Sequence, residues 1–105
     1  MEDFSRRYGL EEEVVGNSAT PYNDTTVKGT KAVLHDATSG SITHNLPTAV
    51  GNYARITVKK IDSSANTVTV DPNGTETIDG GTTAVLRKRW ESITLISDGT
   101  NWVII

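Results

Sequence analysis

The sequence predicts an all-β protein, a small antiparallel β-sandwich or barrel of about eight short strands. First, 34 of the 105 residues are β-branched (16 Thr, 10 Val and 8 Ile) against only 5 Leu, and β-branched residues favour strands. Second, apolar–polar alternation recurs from about residue 26 onward. Turn-forming residues interrupt it every eight to twelve residues or so, the spacing typical of a sandwich or barrel.

Eight segments of the chain carry this strand pattern. In the clearest, "YARITVKKI", the apolar residues Ala54, Ile56 and Val58 alternate with polar ones, as in a strand that is buried on one face. The turn signatures "DPNG", "DGG" and "SDG" separate later segments. Because the connections are short, we expect the strands to meander antiparallel through hairpins. The predicted strands cover residues 31–35, 41–46, 53–61, 67–71, 76–79, 82–88, 91–97 and 101–105.

The last predicted strand, "NWVII", holds four bulky apolar or aromatic side chains in a row. Such a run predicts packing into the core or against another subunit. Trp90, Trp102 and Ile104 are therefore predicted to occupy the core or a subunit interface. A chain of this length hides only about 60 to 65% of its unfolded surface, so oligomerisation would add stability.

The first part of the chain has a different character. Residues 1–15 contain five acids and two bases, which account for the whole net charge of −3. The following "GNSATPYNDTT" is rich in turn formers and cannot build a core of its own. We therefore predict an N-terminal attachment arm and linker over residues 1–25, held against another protein, and a β domain over residues 26–105.

Composition argues against several functional classes. The chain has no Cys and two His, which excludes disulfides, thiolate chemistry and a histidine-rich metal site. No apolar run approaches the roughly 20 residues that span a bilayer, and the acidic beginning is unlike a secretion signal. There is no clustered cationic surface for phosphate backbones. We expect no cofactor, no nucleic-acid partner and no membrane partner.

Isolated polar residues favour structural roles over catalysis. His35 and His44 lie in predicted strands without a nucleophile motif nearby. The acids Asp62, Asp71, Asp79 and Asp98 each lie at a turn, where Asp commonly bonds the backbone. "DPNGTETIDGG" lacks the spacing of an EF-hand loop. We predict a non-enzymatic protein; a hydrolase would need a suitably spaced pair of carboxylates.

The densest basic stretch is "RKRW", residues 87–90. Its cations either pair with acids elsewhere in the chain or receive an acidic arm or patch of a partner. Trp90 or Tyr53 would alternatively supply a carbohydrate platform. These alternatives stay open at the level of sequence.

The chain is similar to a small all-β module found in structural proteins of tailed bacteriophages, in fibres, spikes and head-surface proteins. The similar features are "LPTAVGNYARITVKKIDSSANTVTVDPNGTETIDG" followed by "ESITLISDGTNWVII", about the last 60 residues. Such modules are commonly trimeric, and the resemblance implies a homotrimer without catalytic residues.

The resemblance and the short segment before the module favour a capsid decoration or cement protein on the outer surface of the virion. Its arm would bind the major capsid protein, and addition of a strand to an exposed sheet edge is one mode of such binding. The alternative is a short tail fibre, spike tip or tail component that binds the host surface. The predicted capsid-binding residues of the arm are Phe4, Arg6, Arg7, Tyr8 and Leu10.

Overall fold

The computed structural model describes residues 12–105, which form nine short strands in two sheets and no helix. Sheet A has the strand order β1-β3-β5-β8-β9, and sheet B has the order β2-β4-β6-β7. The described residues therefore contain no helix that could cross a membrane. The strands are β1 (Glu12–Asn17), β2 (Tyr22–Asn23), β3 (Thr30–His35), β4 (Ile42–Asn45), β5 (Arg55–Lys60), β6 (Val68–Asp71), β7 (Ala84–Leu86), β8 (Ser92–Ser97) and β9 (Trp102–Ile104).

The first six strands alternate between the two sheets. Within sheet A, β1 pairs with β3 and β3 with β5; within sheet B, β2 pairs with β4 and β4 with β6. All four pairs are parallel and in register. The chain therefore winds through three stacked coils, and each coil contributes one strand to each sheet.

The all-β prediction is confirmed, and the structure has two sheets where a sandwich or a barrel was predicted, but the antiparallel meander is wrong for the first six strands. The expectation was that short connections cannot join parallel strands, which need a crossover of a dozen or more residues. Here the crossover between two parallel strands is the strand of the opposite sheet with its two corners. Strands that follow each other in sequence therefore face each other across the core instead of pairing.

The last three strands close one end of this stack with antiparallel pairs. β7 pairs with β6, β8 pairs with β5, and β9 pairs with β8. The amide of Trp102 donates to the carbonyl of Thr77, and the amide of Asp79 donates to the carbonyl of Trp102. These bonds cover the outer edge of β9, whereas no described strand lies beyond β1 at the opposite edge of sheet A.

The apolar core lies between the sheets and follows columns of register partners. Val15, Val33 and Val58 form one such column across β1, β3 and β5, and the latter two are fully buried. Trp102 is also fully buried, and its indole Nε1 donates to the carbonyl of Pro47 at 3.1 Å. The last strand thus joins the core to the loop that follows β4.

The sequence pattern predicted the positions of most strands but was wrong about secondary structure in two regions. Residues 76–79, predicted as a strand, form only two isolated bridges, from Ile78 to Gly81 and to Trp102. The folded body includes residues from Glu12 onward, so the predicted linker contributes part of β1 and all of β2. These strands were missed because β1 is acidic and β2 has only two residues.

Replacing Trp102 by Phe should lower the free energy of unfolding by about 2 kcal/mol, because it leaves a cavity and removes the bond to Pro47. The matched control is Trp90→Phe at an indole that is 55% exposed, which should change stability by less than about 0.5 kcal/mol. Urea unfolding followed by far-UV circular dichroism measures both. Equal losses in the two variants would contradict this account of the core.

Candidate functional site

A chain of polar side chains crosses the interior between the two sheets. His35 of β3 and His44 of β4 point inward from facing sheets, and His35 Nε2 lies 2.8 Å from His44 Nδ1. His44 Nε2 lies 2.9 Å from Asp24 Oδ2. At the other end, Asn17 Nδ2 lies 3.0 Å from His35 Nδ1. We call these four residues the imidazole chain.

The protons of the imidazole chain can be assigned in order. The ionised carboxylate of Asp24 only accepts, so His44 Nε2 must donate to it. His44 Nδ1 accepts from His35 Nε2, because His35 Nδ1 faces the Asn17 amide and the ring proton of His35 therefore lies on Nε2. His35 Nδ1 is left as an acceptor for the Asn17 amide, which also donates to the carbonyl of Ala19. Two neutral imidazoles therefore complete a continuous chain with every donor matched to an acceptor.

The surroundings of the imidazole chain set its charge state. Burial and, to a lesser extent, the nearby His44 lower the pKa of His35 to about 4, against a smaller opposing effect of the Asp24 carboxylate. Burial would raise the pKa of Asp24, but hydrogen bonds from His44 and Thr26 outweigh it and lower that pKa to about 2. Lys31 Nζ lies 3.6 Å from Asp24 Oδ1. The buried carboxylate is thus compensated by a cation and by hydrogen bonds.

The imidazole chain is enclosed by the fold. His35 and His44 are fully buried, and the ring of Tyr22 packs against both, at 5.5 and 4.9 Å between ring centroids. None of these imidazoles presents a nitrogen at the surface. The arrangement joins sheet A to sheet B at the end of the stack where apolar side chains are few.

A second buried polar cluster surrounds Lys60 at the end of β5. Its ammonium donates to Asp62 Oδ2 at 2.7 Å and to the carbonyl of Ser64 at 3.1 Å. Asp62 also accepts from the Ala37 amide at 2.7 Å and from the Ser64 hydroxyl. Burial opposes ionisation of Asp62, yet its bonds with Lys60 and Ser64 hold its pKa well below the usual range. The cluster ties the loop after β5 to the loop after β3.

The turn over residues 87–91, which we call the Trp90 turn, presents an aromatic side chain to solvent. Trp90 is 55% exposed and has a φ of 72°, a strained backbone conformation for a bulky residue. Its amide donates to the carbonyl of Lys60 at 2.7 Å, and its carbonyl accepts from Lys59 Nζ at 2.9 Å. Trp90 is therefore not part of the core of the single chain. Its position in a subunit interface stays a prediction.

The cations of this turn surround the exposed indole. The guanidinium of Arg89 lies 4.6 Å from the centre of the Trp90 ring, and Lys59 Nζ lies 5.9 Å from it. The Glu91 carboxylate accepts from the amides of Arg87 and Lys88, at 2.7 and 3.0 Å, and these bonds lower its pKa. Glu91 thus stabilises the turn backbone, and the turn is a rigid, basic, aromatic surface.

The other predicted surface residues lie apart from the Trp90 turn. Tyr53 is 86% exposed and precedes β5, whereas the Trp90 turn contacts the far end of the same strand. Six residues of β5 separate them, roughly 20 Å of extended chain. A carbohydrate platform at Tyr53 and one at Trp90 would therefore be two separate sites, and both stay predictions. Ile104 is 36% exposed near the outer end of β9.

Three of the predicted turn acids have backbone-binding roles, and one of them is Asp62, which accepts from the Ala37 amide. Asp98 Oδ1 accepts from the amides of Thr100 and Asn101, and Asp79 Oδ1 accepts from the amide of Ile104 at 3.0 Å. Among residues 12–105, no group of three or more His, Cys, Asp or Glu side chains is arranged to hold a metal ion. Asp71, the last residue of β6, lies in an environment that differs from that of these turn acids.

The predicted capsid-binding residues lie outside the described part of the chain. Strand β1 follows these residues in sequence. It is the edge of sheet A among the described strands, and its Val14 is 71% exposed. The residues outside the described range are Phe4, Arg6, Arg7, Tyr8 and Leu10.

Sequence reasoning missed the partners of the two histidines. Asn17, Tyr22 and Asp24 fall in the predicted arm and linker, where no contacts within the body were expected. The pattern of β3 contained a signal for these partners. If alternation buries Val33, it must also bury Lys31 and His35 on the same face. Two inward polar positions on one strand require buried partners.

Lowering the pH from about 6.5 to about 4 should destabilise the fold by roughly 3 kcal/mol. The pKa of His35 is about 4 in the folded protein against an ordinary 6.5, so the unfolded chain binds more protons in this interval. Asp24 adds a further loss between its ordinary 3.8 and about 2. Urea unfolding across pH measures the total.

A nuclear magnetic resonance titration of the imidazole protons isolates His35 from other acids. Its midpoint should lie far below 6.5, near the shifted value of about 4. A midpoint close to the ordinary value would contradict the enclosed, neutral imidazole chain.

Comparison with known proteins gives no relative on which to base an assignment: no family model, curated protein or solved structure matches this chain.

Proposed function

We propose that this protein is a non-enzymatic structural component of a tailed-phage virion, a decoration or cement protein that binds the major capsid protein through its N-terminal segment. The observation that carries the proposal is the position of β1. This strand directly follows residues 1–11 in sequence, and it is the edge of sheet A among the described strands. The segment predicted to attach the protein is therefore continuous with an edge that a partner strand can extend.

The character of this edge supports attachment to another protein. An edge strand offers backbone donors and acceptors to a neighbouring chain, and strand addition is a common mode of protein recognition. Val14 provides an exposed apolar side chain beside it, with 71% of its surface accessible. The opposite edge of sheet A is covered by residues 77–79, whereas no strand among residues 12–105 pairs with the outer edge of β1.

The hydrogen bonding inside the body supports the proposal of a mechanical, reinforcing role. Within residues 12–105, every buried side-chain nitrogen and oxygen has a hydrogen-bond partner. The imidazole chain and the Lys60 cluster join sheets and loops that would otherwise depend on few apolar contacts. Satisfied buried polar networks of this kind stiffen a fold. A rigid body attached by a short segment suits a protein that reinforces a lattice.

Many copies on a capsid lattice would strengthen weak individual contacts. Neighbouring contacts raise the effective concentration of each attachment segment, so no single segment has to bind tightly. The Trp90 turn supplies an exposed aromatic surface for contact between copies. Position in the particle distinguishes this role from the tail: copies at local threefold sites on the head support it, and copies confined to the tail contradict it.

Replacing Phe4, Tyr8 and Leu10 together by Ala should weaken binding to purified, expanded heads by at least about tenfold, because apolar and aromatic anchors dominate interface energetics. The matched control replaces three exposed apolar residues of the body by Ala: Val27, Val50 and Tyr53. Co-sedimentation with heads measures occupancy, and circular dichroism verifies the fold. Full occupancy by the Phe4, Tyr8 and Leu10 variant would contradict attachment through this segment.

Replacing Trp90 by Ser should shift the protein from trimer to monomer, because it removes the exposed aromatic anchor of the predicted subunit interface. Tyr53→Ser, at a residue that is 86% exposed, is the matched control and should leave the trimer intact. Sedimentation velocity measures the distribution of species. A trimer that is unaffected by Trp90→Ser, or a monomeric parent protein, would refute this interface.

A further inference from the structure

A groove lies at the carboxyl ends of the three parallel strands of sheet B, lined by the last residue of each strand and by the loops that follow. Asn23, Asn45 and Asp71 end β2, β4 and β6 and are direct register partners. Their sequence neighbours on the same strands, Tyr22, His44 and Val70, face inward, so these three residues face outward. The polar side chains thus form a ladder, which we call the Asn–Asn–Asp ladder.

The loops that leave the three strands form the walls of the groove. Its volume is about 590 Å³, within the range of about 300 to 1,000 Å³ that is usual for small-molecule sites. Leu46, Pro47 and Pro72 add apolar surface, and Asn73 adds a further amide. The groove is therefore large enough for a ligand of one to a few rings and mixes apolar and polar walls.

The hydrogen bonds along the ladder leave two adjacent acceptors, on Asn45 and Asp71, with no donor between them. Asn45 Nδ2 donates to Asn23 Oδ1 at 2.9 Å, which identifies Oδ1 as the remaining acceptor of Asn45. The next position is the carboxylate of Asp71, which also only accepts. No donor among residues 12–105 bonds this carboxylate, although the groove contains amides on both sides. The ladder therefore offers adjacent acceptors to a ligand that carries hydrogen-bond donors.

The composition of the groove favours one class of ligand. Asp24 is committed to His44, Thr26 and Lys31, so Asp71 is the only carboxylate in the lining available to a ligand. A single carboxylate is a poor cation site, and acceptors disfavour an anion. Hydroxyl groups both donate and accept. Neighbouring strands are about 4.8 Å apart, a spacing that suits several hydroxyls on one sugar ring.

We propose that this groove binds a neutral saccharide, with Asp71 and Asn45 accepting from its hydroxyl groups. Asn23 and Asn73 donate to ring or hydroxyl oxygens, and the partly exposed Pro47 contacts the C–H face of the sugar. This binding site goes beyond the proposed capsid attachment, which depends on residues 1–11 and the β1 edge. The inference stands or fails separately from the location of the protein in the virion.

The test uses the full chain, labelled with ¹⁵N, and three probes: cellopentaose, maltopentaose and chitopentaose. At least one should shift the side-chain amide signals of Asn23, Asn45 and Asn73 in a saturable way. Asp71→Asn replaces one acceptor oxygen by a donor without changing shape and should weaken that binding about tenfold. Asp98→Asn makes the same change in a turn away from the groove and should leave binding unchanged.

Three results would overturn the proposal. The first is the absence of saturable shifts with all three saccharides. The second is equal affinity in Asp71→Asn and the parent protein. The third is a response of the ladder amides to calcium chloride and to none of the saccharides. Unchanged amide signals of the sheet A strands in Asp71→Asn verify that the variant is folded.

Discussion

The in-register parallel stacking of three coils is the constraint on which the rest of the structure depends. Because each strand lies beside its counterpart one coil earlier, residues far apart in sequence form straight columns across both sheets. The valine column of sheet A supplies apolar core, and the Asn–Asn–Asp ladder of sheet B supplies a polar surface. A slip of one residue in any coil would turn every inward side chain outward.

The columns also show how the interior is filled along the stack, where the buried Lys60 of β5 lies in register with His35 of β3. The coil formed by β5 and β6 meets the cap, where Leu95 and Trp102 fill the space between the sheets. The first two coils have fewer large apolar residues, and a hydrogen-bonded chain through His35 and His44 spans the gap instead. Buried polar groups cost desolvation, so this solution requires every partner to be present.

Strand positions were largely predictable from sequence, but their pairing was not. Alternation in a segment such as 53–61 reports that one face is buried and carries no information about which neighbour pairs with it. The repeat is also hidden, because the partners Asn23, Asn45 and Asp71 are separated by unequal intervals filled with different loops. The imidazole chain and the groove both arise from these long-range columns, so single motifs could not reveal either one.

The antiparallel cap makes the body modular in one direction. Register partners such as Thr30 and Arg55 are 25 positions apart, so duplicating a segment of about that length would insert one extra coil between β1 and the cap. The insertion would keep the cap and the β1 edge intact and move them apart by one strand spacing, about 4.8 Å. The height of the protein above any surface to which it binds could thus evolve in discrete steps without redesign of either end.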